Sequence, residues 1–277
     1  MYREDHHPLP AAMRARVLEE LQRLEQAHDI TVLYACESGS RAWGFASPDS
    51  DYDVRFVYVQ RPEWYLRVDP PHDVLERPLT DELDLSGWEL RKTLRLLRNS
   101  NPTLLEWLDS PLVYRSEPHA TEELRELAQA FYSPAAARAH YLSMARKNFR
   151  GYLQGTEVRY KKYLYVLRPL LAVRWIDLGL GRPPMVFESL LDATLDDPAQ
   201  RAEIEELLRL KRQAVEAEYG PARPALQRLI EDQLQQAESH SAARGGSRDR
   251  TRLDRYLREQ VLRHATPGTE HRQGTPP

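Results

Sequence analysis

Gly39-Ser40-Arg41-Ala42-Trp43-Gly44, followed by Ser50-Asp51-Tyr52-Asp53-Val54, constrains this 277-residue chain more than any other stretch. The glycine–serine pair ends an apolar run, Ile30-Thr31-Val32-Leu33-Tyr34-Ala35, and the Asp-x-Asp pair opens a second, Val54-Arg55-Phe56-Val57-Tyr58-Val59. Both runs read as strands. Strand alternation puts Asp51 and Asp53 on one face. Two carboxylates held side by side repel unless a cation lies between them, which predicts a divalent ion. Mg²⁺ takes oxygen ligands and is usually shared with substrate phosphates. The glycine turn, leading into a short helix at about 41–45, offers backbone N–H groups and the Ser40 hydroxyl to an anion. Asp-x-Asp alone is common and usually a turn, and Gly-Ser alone is weaker still. Together, ten residues apart and between two strands, they compose a metal-dependent phosphate site.

Composition sets the frame. Hydrophobic residues make up 41% and charged residues 29%, as in a soluble globular chain of one large or two modest domains. No apolar run has membrane-spanning length, and the polar start Met1-Tyr2-Arg3-Glu4-Asp5 carries no signal-peptide pattern. A single cysteine, Cys36, excludes an internal disulfide, so the expected location is cytoplasmic, with no membrane partner. Cys36 reads as a small core residue before it reads as a nucleophile. The net charge of −3 hides a segment from Phe131 to Arg174 with nine basic residues and one acid before Asp177. Such a basic stretch inside an acidic chain is an electrostatic footprint for a polyanion.

Along the chain, Met13, Val17, Leu21 and Leu24 predict a helix over about 10–28. Residues 62–78, with prolines at 70 and 71, read mainly as loop. In Leu83-Asp84-Leu85 a short strand turns one carboxylate away from two leucines, with Glu82 as the alternative of the same parity. A helix over about 88–99 packs Leu90, Leu94 and Leu97 inward and turns Arg91, Arg95 and Arg98 outward, a stripe that reads as a solvated face. Near Ser116 the pattern becomes wholly helical, with helices at about 118–131, 134–153, 157–179 (bent at Arg168-Pro169, a kink that exposes the neighbourhood of Arg168), 186–196, 199–219, 222–240 and 251–264. This divides the chain into a mixed domain over 1–115, a helical substrate- or nucleotide-binding domain over 116–240, and a remainder over 241–277. The remainder holds a glycine-rich linker at 243–247, a short basic helix and a disordered tail from Thr266.

The Gly-Ser/Asp-x-Asp spacing resembles the DNA-polymerase-beta-type nucleotidyltransferases. Three further motifs look like one branch, the RNA-repair-pathway (RlaP-like) group: Ser86-Gly87-Trp88-Glu89-Leu90-Arg91-Lys92, Ser100-Asn101-Pro102 with Glu106-Trp107-Leu108, and Lys161-Lys162-Tyr163 through Arg168-Pro169-Leu170-Leu171. The similarity runs over roughly 25–190. It implies an α+β fold: a polymerase-beta-type nucleotidyltransferase domain, with a mixed sheet and flanking helices, joined to a C-terminal helical domain. It also implies two Mg²⁺ ions, with Mn²⁺ as the alternative, held by Asp51, Asp53 and Asp84, the last also taking the acceptor's proton. Gly39, Ser40 and Arg41 would bind nucleoside triphosphate, and Lys161, Lys162 and Arg168 would reach its phosphates or an RNA end. ATP is one such nucleotide; the sequence does not select among them.

The implied reaction moves a nucleoside monophosphate onto a hydroxyl and releases pyrophosphate. An RNA end in repair, with an RNA ligase as pathway partner, is the first acceptor. A protein hydroxyl or a small molecule is the second. A nucleotide- or RNA-binding regulator without chemistry is the third reading, opposed by retention of three mutually repelling carboxylates. Aromatic residues interleave the basic segment (Tyr141, Phe149, Tyr152, Tyr160, Tyr163, Tyr165), for stacking on bases or for filling a core.

Overall fold

The computed structural model of the chain describes residues 9–69, 71–80, 82–213, 219–239 and 249–265. The linker expected at 243–247 and the tail from Thr266 lie outside them.

A helix, α1 (Ala11–His28), comes first and buries Val17, Leu21 and Leu24, and Asp29 closes it in the left-handed region at φ 47°. Then follow β1 (Thr31–Glu37), the short α2 (Gly39–Trp43), β2 (Tyr52–Val59), α3 (Pro62–Tyr65), β3 (Val74–Thr80) and β4 (Leu83–Glu89). After these come α4 (Leu90–Arg98), α5 (Pro102–Leu108), β5 (Val113–Ser116), α6 (Pro118–Phe131) and α7 (Pro134–Tyr152). The chain continues through β6 (Glu157–Arg159), α8 (Tyr160–Asp177), α9 (Phe187–Thr194), α10 (Pro198–Gln213), β7 (Tyr219–Pro221), α11 (Pro224–Ser239) and α12 (Thr251–Arg263).

Several helix starts are written locally. The side chains of Glu89, Asn101, Glu117 and Ser133 accept backbone N–H groups at the heads of α4, α5, α6 and α7, and a proline opens the last three. A side-chain acceptor satisfies an N–H that the helix cannot, and proline has no such N–H to satisfy.

Five strands form one mixed sheet in the order β3-β4-β2-β1-β5. β2 and β4 run parallel at its centre, while β1 with β2, β3 with β4 and β1 with β5 are antiparallel. The segment read as loop therefore contains α3 and β3. β3 is an edge strand, where Pro78 costs no ladder bond on the open side, so proline masked it. β5, four residues long, is the other edge, and it is too short for its alternation to show in the sequence. A two-stranded ribbon, β6 with β7, sits inside the helical part where no strand was expected; three-residue strands are too short to show alternation.

Three cores hold the molecule. On one sheet face α1 packs Leu21 and Leu24 against Val54, Phe56, Leu83 and Leu85. Gly87 belongs to this fit: a Cβ there would lie 2.1 Å from the Phe56 ring. On the other face α4, α5 and α6 cover Leu33, Val57 and Val59, and α12 returns to join them through Leu253, Tyr256 and Val261. α6 thus shares the sheet's core although the composition change near Ser116 grouped it with the later helices. The third core belongs to α7–α11 and takes in Phe45 from the loop after α2. α8 is its axis: apolar on nearly every side, it is buried at Tyr163, Leu164 and every residue from Val166 to Val173, and it runs on through Pro169.

Candidate active site

Asp53 and Asp84 stand directly opposite each other in the parallel register of β2 and β4. Along β4 Leu83 and Leu85 are buried and Asp84 between them is not, so alternation sends Asp84 and Asp53 to the face opposite α1. Further along that face Trp88 stacks on Trp107 at 3.9 Å and closes the surface, which leaves the carboxylate end open.

A cation does bridge the carboxylates, and it is one the sequence motif did not mark. Arg55, two residues beyond Asp53 and on the same face, brings Nη2 to 2.9 Å from both Asp53 Oδ1 and Asp84 Oδ2. Its Nη1 also donates to the backbone carbonyls of Val54 and Asp84. The signal was present, since Asp53-x-Arg55 has the same period-two spacing as Asp51-x-Asp53. Asp51 is exposed and precedes the first residue of β2; Glu82, also exposed, precedes β4. The donor set is carboxylate oxygen alone, which fits a hard divalent ion such as Mg²⁺ in kind. Among the described residues, no group of three His, Cys, Asp or Glu stands together as a metal site in this arrangement.

The Gly39–Ser40 turn lies against the same carboxylate. Gly39 has φ +59°, and a Cβ there would sit 2.0 Å from Asp53 Oδ2. Only glycine both adopts that conformation readily and leaves the carboxylate its place. Ser40 is buried. Arg41 is buried as well, donating to the carbonyls of Ser50 (2.5 Å) and Asp51 (3.1 Å) and lying 3.8 Å over the Tyr52 ring. It clamps the loop that delivers Asp51.

Two buried residues support this clamp from positions where no local motif marked them. Glu37, fully buried at the end of β1, accepts the Asp53 backbone N–H at 2.8 Å and the Tyr114 hydroxyl. Burial pushes its carboxyl up to about 7, against the lowering effect of those two donors. Lys211 of α10 is buried and donates to Ser47 Oγ at 2.5 Å and Ser50 Oγ at 3.4 Å, tying the helical part to the Asp51 loop. Cys36, beside Glu37, is a buried core residue whose thiol burial pushes far up.

The basic residues expected at the phosphates divide into two kinds. Lys161 and Lys162 are half-buried at the start of α8, Lys162 lying 3.9 Å over the Tyr152 ring and 4.9 Å over Tyr165. Tyr165 meets Trp43 of α2 edge-on at 5.5 Å, so this end of α8 backs the glycine–serine turn. Arg168, expected to be exposed by a bend at Pro169, is instead 2% exposed. It pairs with Glu106 at 2.7 Å, donates to the Met185 carbonyl and stacks 4.7 Å over Trp43. Its reach to the site is through Trp43. Of the aromatic residues weighed for stacking, Tyr141 and Tyr163 fill the core and Tyr152 is exposed.

A mixed sheet carrying paired carboxylates beside a glycine–serine turn defines a nucleotidyltransferase-like protein. Residues 13–259 match the RNA repair pathway DNA polymerase beta family (RlaP), and the chain belongs to that family. It is 48% identical over 223 residues to the uncharacterized protein YcgL of Bacillus subtilis (strain 168), across 80% of this chain and 86% of that protein. Among solved structures it is similar to a nucleotidyltransferase-like protein from Exiguobacterium sibiricum 255-15, at 15% identity and a TM-score of 0.31, covering 90% of this chain and 77% of that one. No described helix is long and apolar enough to cross a membrane.

Proposed function

We propose that the protein transfers a nucleoside monophosphate from a nucleoside triphosphate, ATP among the candidates, to a hydroxyl at an RNA end, with release of pyrophosphate. The observation that carries this reading is the in-register pair Asp53–Asp84, bridged by Arg55 and overlaid by the Gly39 turn. Asp53 and Asp84, with Asp51, would hold Mg²⁺ or Mn²⁺, which would neutralise triphosphate charge and acidify the acceptor hydroxyl. Asp84 is the base that takes the hydroxyl proton. The N–H groups of the Gly39–Ser40 turn face the β- and γ-phosphates, and Lys161 and Lys162 add positive charge from α8. Arg168 acts as a positioning residue by holding Trp43 of α2. Catalysis of this kind rests on placement and charge neutralisation at an in-line phosphorus and needs no covalent nucleophile. The basic segment around α7 and α8 favours a polyanionic acceptor, and an end so modified suits an RNA ligase as the next enzyme, in the cytoplasm.

The test is incubation with each α-³²P nucleotide, Mg²⁺ and a pool of small RNAs, resolved on a denaturing gel. Label on RNA that disappears in Asp53→Asn and Asp84→Asn, with folding intact, is the expected result. Label on the protein band would move the acceptor to a polypeptide hydroxyl. Tight nucleotide binding with no transfer would make the protein a regulator, and wild-type rates in both Asn variants would overturn the site.

A further inference from the structure

At the end of the sheet opposite the carboxylates, α12 lies beside α4 and completes a surface groove of about 340 Å³. Four guanidinium groups line it, Arg91, Arg95 and Arg98 from α4 and Arg250 from the head of α12, against one carboxylate, Asp254. Leucines of both helices form its apolar lining. Arg95, Arg98 and Arg250 are exposed, and none makes an ion pair among the described residues. Other arginines of the chain are paired: Arg138 with Asp177, Arg168 with Glu106, Arg201 with Asp192 and Glu205. Arginines at i, i+4 and i+7 repel one another along a helix, and Arg250, from some 150 residues later in the chain, adds to that charge instead of offsetting it. Such a cluster is stabilised by an anionic ligand.

We propose that this groove binds the phosphates of single-stranded RNA, as a second binding site remote from the carboxylates. Guanidinium groups match phosphate oxygens in geometry as well as charge. At one end Arg91 lies 5.3 Å over the Trp64 ring and 5.0 Å over Tyr65, which sets an indole beside the phosphate track for a base to stack on. Asp84 and Glu89 are five residues apart on β4, so roughly 16 Å of strand separates the reacting end from the groove. A strand held there would be gripped along its body while its terminus reaches the carboxylates. The proposal deepens the RNA-acceptor reading, but its test requires no transfer.

Binding of a fluorescent single-stranded RNA 20-mer to the full chain is measured by anisotropy in EDTA across a salt series. Three variants are compared with the wild type: R95E/R98E/R250E, R95K/R98K/R250K and Trp64→Ala. The glutamate variant is expected to bind at least tenfold more weakly. Its slope of log affinity against log salt should flatten by about 2, because each phosphate neutralised on a single strand contributes roughly 0.7. The lysine variant keeps the charge and so the slope but loses the forked guanidinium geometry, and should bind about threefold more weakly; if the glutamate variant melts early, wild-type affinity in the lysine variant overturns the proposal. Trp64→Ala should weaken binding roughly fivefold and leave the slope unchanged, because stacking releases no counterions. Wild-type affinity and slope in the glutamate variant would overturn the proposal. So would a polyglutamate peptide that binds the groove and is not displaced by RNA, which would make the partner an acidic protein. Transfer to RNA with an inert groove rejects this site alone, whereas groove-dependent binding without transfer rejects only the catalytic reading.

Discussion

Two arginine–carboxylate clusters in this molecule share chemistry and differ in surroundings. At the sheet's open end, Arg55 spans Asp53 and Asp84 with side chains 18%, 32% and 45% exposed. Behind α2, Arg168 pairs with Glu106 at 3% and 6% exposure, and the Tyr141 hydroxyl donates to the same Glu106 oxygen at 3.0 Å. The first cluster is wet enough that its cation can be exchanged for another, because water solvates whatever is left behind. The second has no such recourse: a buried charge stripped of its partner stays uncompensated. One arrangement suits a site that must admit phosphate and metal. The other suits a bolt between α5, α7 and α8 that never opens, and burial rather than residue type separates them.

The largest effect should come from Arg168→Met, which leaves Glu106 buried and unpaired. About 3–5 kcal/mol should be lost in urea unfolding, and Glu106→Gln added to it should recover most of that loss. If the single variant is neutral, the two clusters do not differ as argued.

Gly39→Ala should disturb the open cluster without touching the bolt. The new Cβ falls on Asp53 Oδ2, and displacement of a reacting group by about 1 Å lowers turnover on the order of a hundredfold. The fold should lose only about 1–2 kcal/mol from the left-handed backbone. Transfer rate and unfolding midpoint, measured together, separate the two.

A pH effect connects the open site to its buried support. Because burial holds the Glu37 carboxyl at about 7 against an ordinary 4.5, the native state binds this proton more tightly than the unfolded chain. Stability contributed by Glu37 is therefore present at pH below about 4.5 and declines as pH rises to about 7. In buffer free of divalent ions, Glu37→Gln should flatten the unfolding midpoint across that window; an unchanged profile would mean that Glu37 ionises normally.

The smallest effect sharpens the comparison most. Arg55→Met removes the bridge between half-exposed carboxylates and should change stability by only about 0–1 kcal/mol. A loss equal to that of Arg168→Met would show that the open cluster is as structural as the buried one.

Much of the site was legible in one dimension, because strand alternation and the short Gly39–Asp53 interval are local. The outward turn of Asp84 between Leu83 and Leu85, the helices expected to begin near Pro118 and Pro134, and the membership in a nucleotidyltransferase family all follow from neighbouring residues or recurring motifs. Edge strands escaped, since β3 carries proline and β5 is four residues long. A proline inside a helix points to exposure at Arg168, whereas the packing of α8 on nearly every side is the stronger effect. What only the tertiary structure decided are the pairings across long sequence separation: Arg168 with Glu106, Lys211 with the Asp51 loop, and Arg250 with the stripe on α4. A chain states which residues can carry charge; the fold alone determines which of those charges meet a partner and which remain open to one.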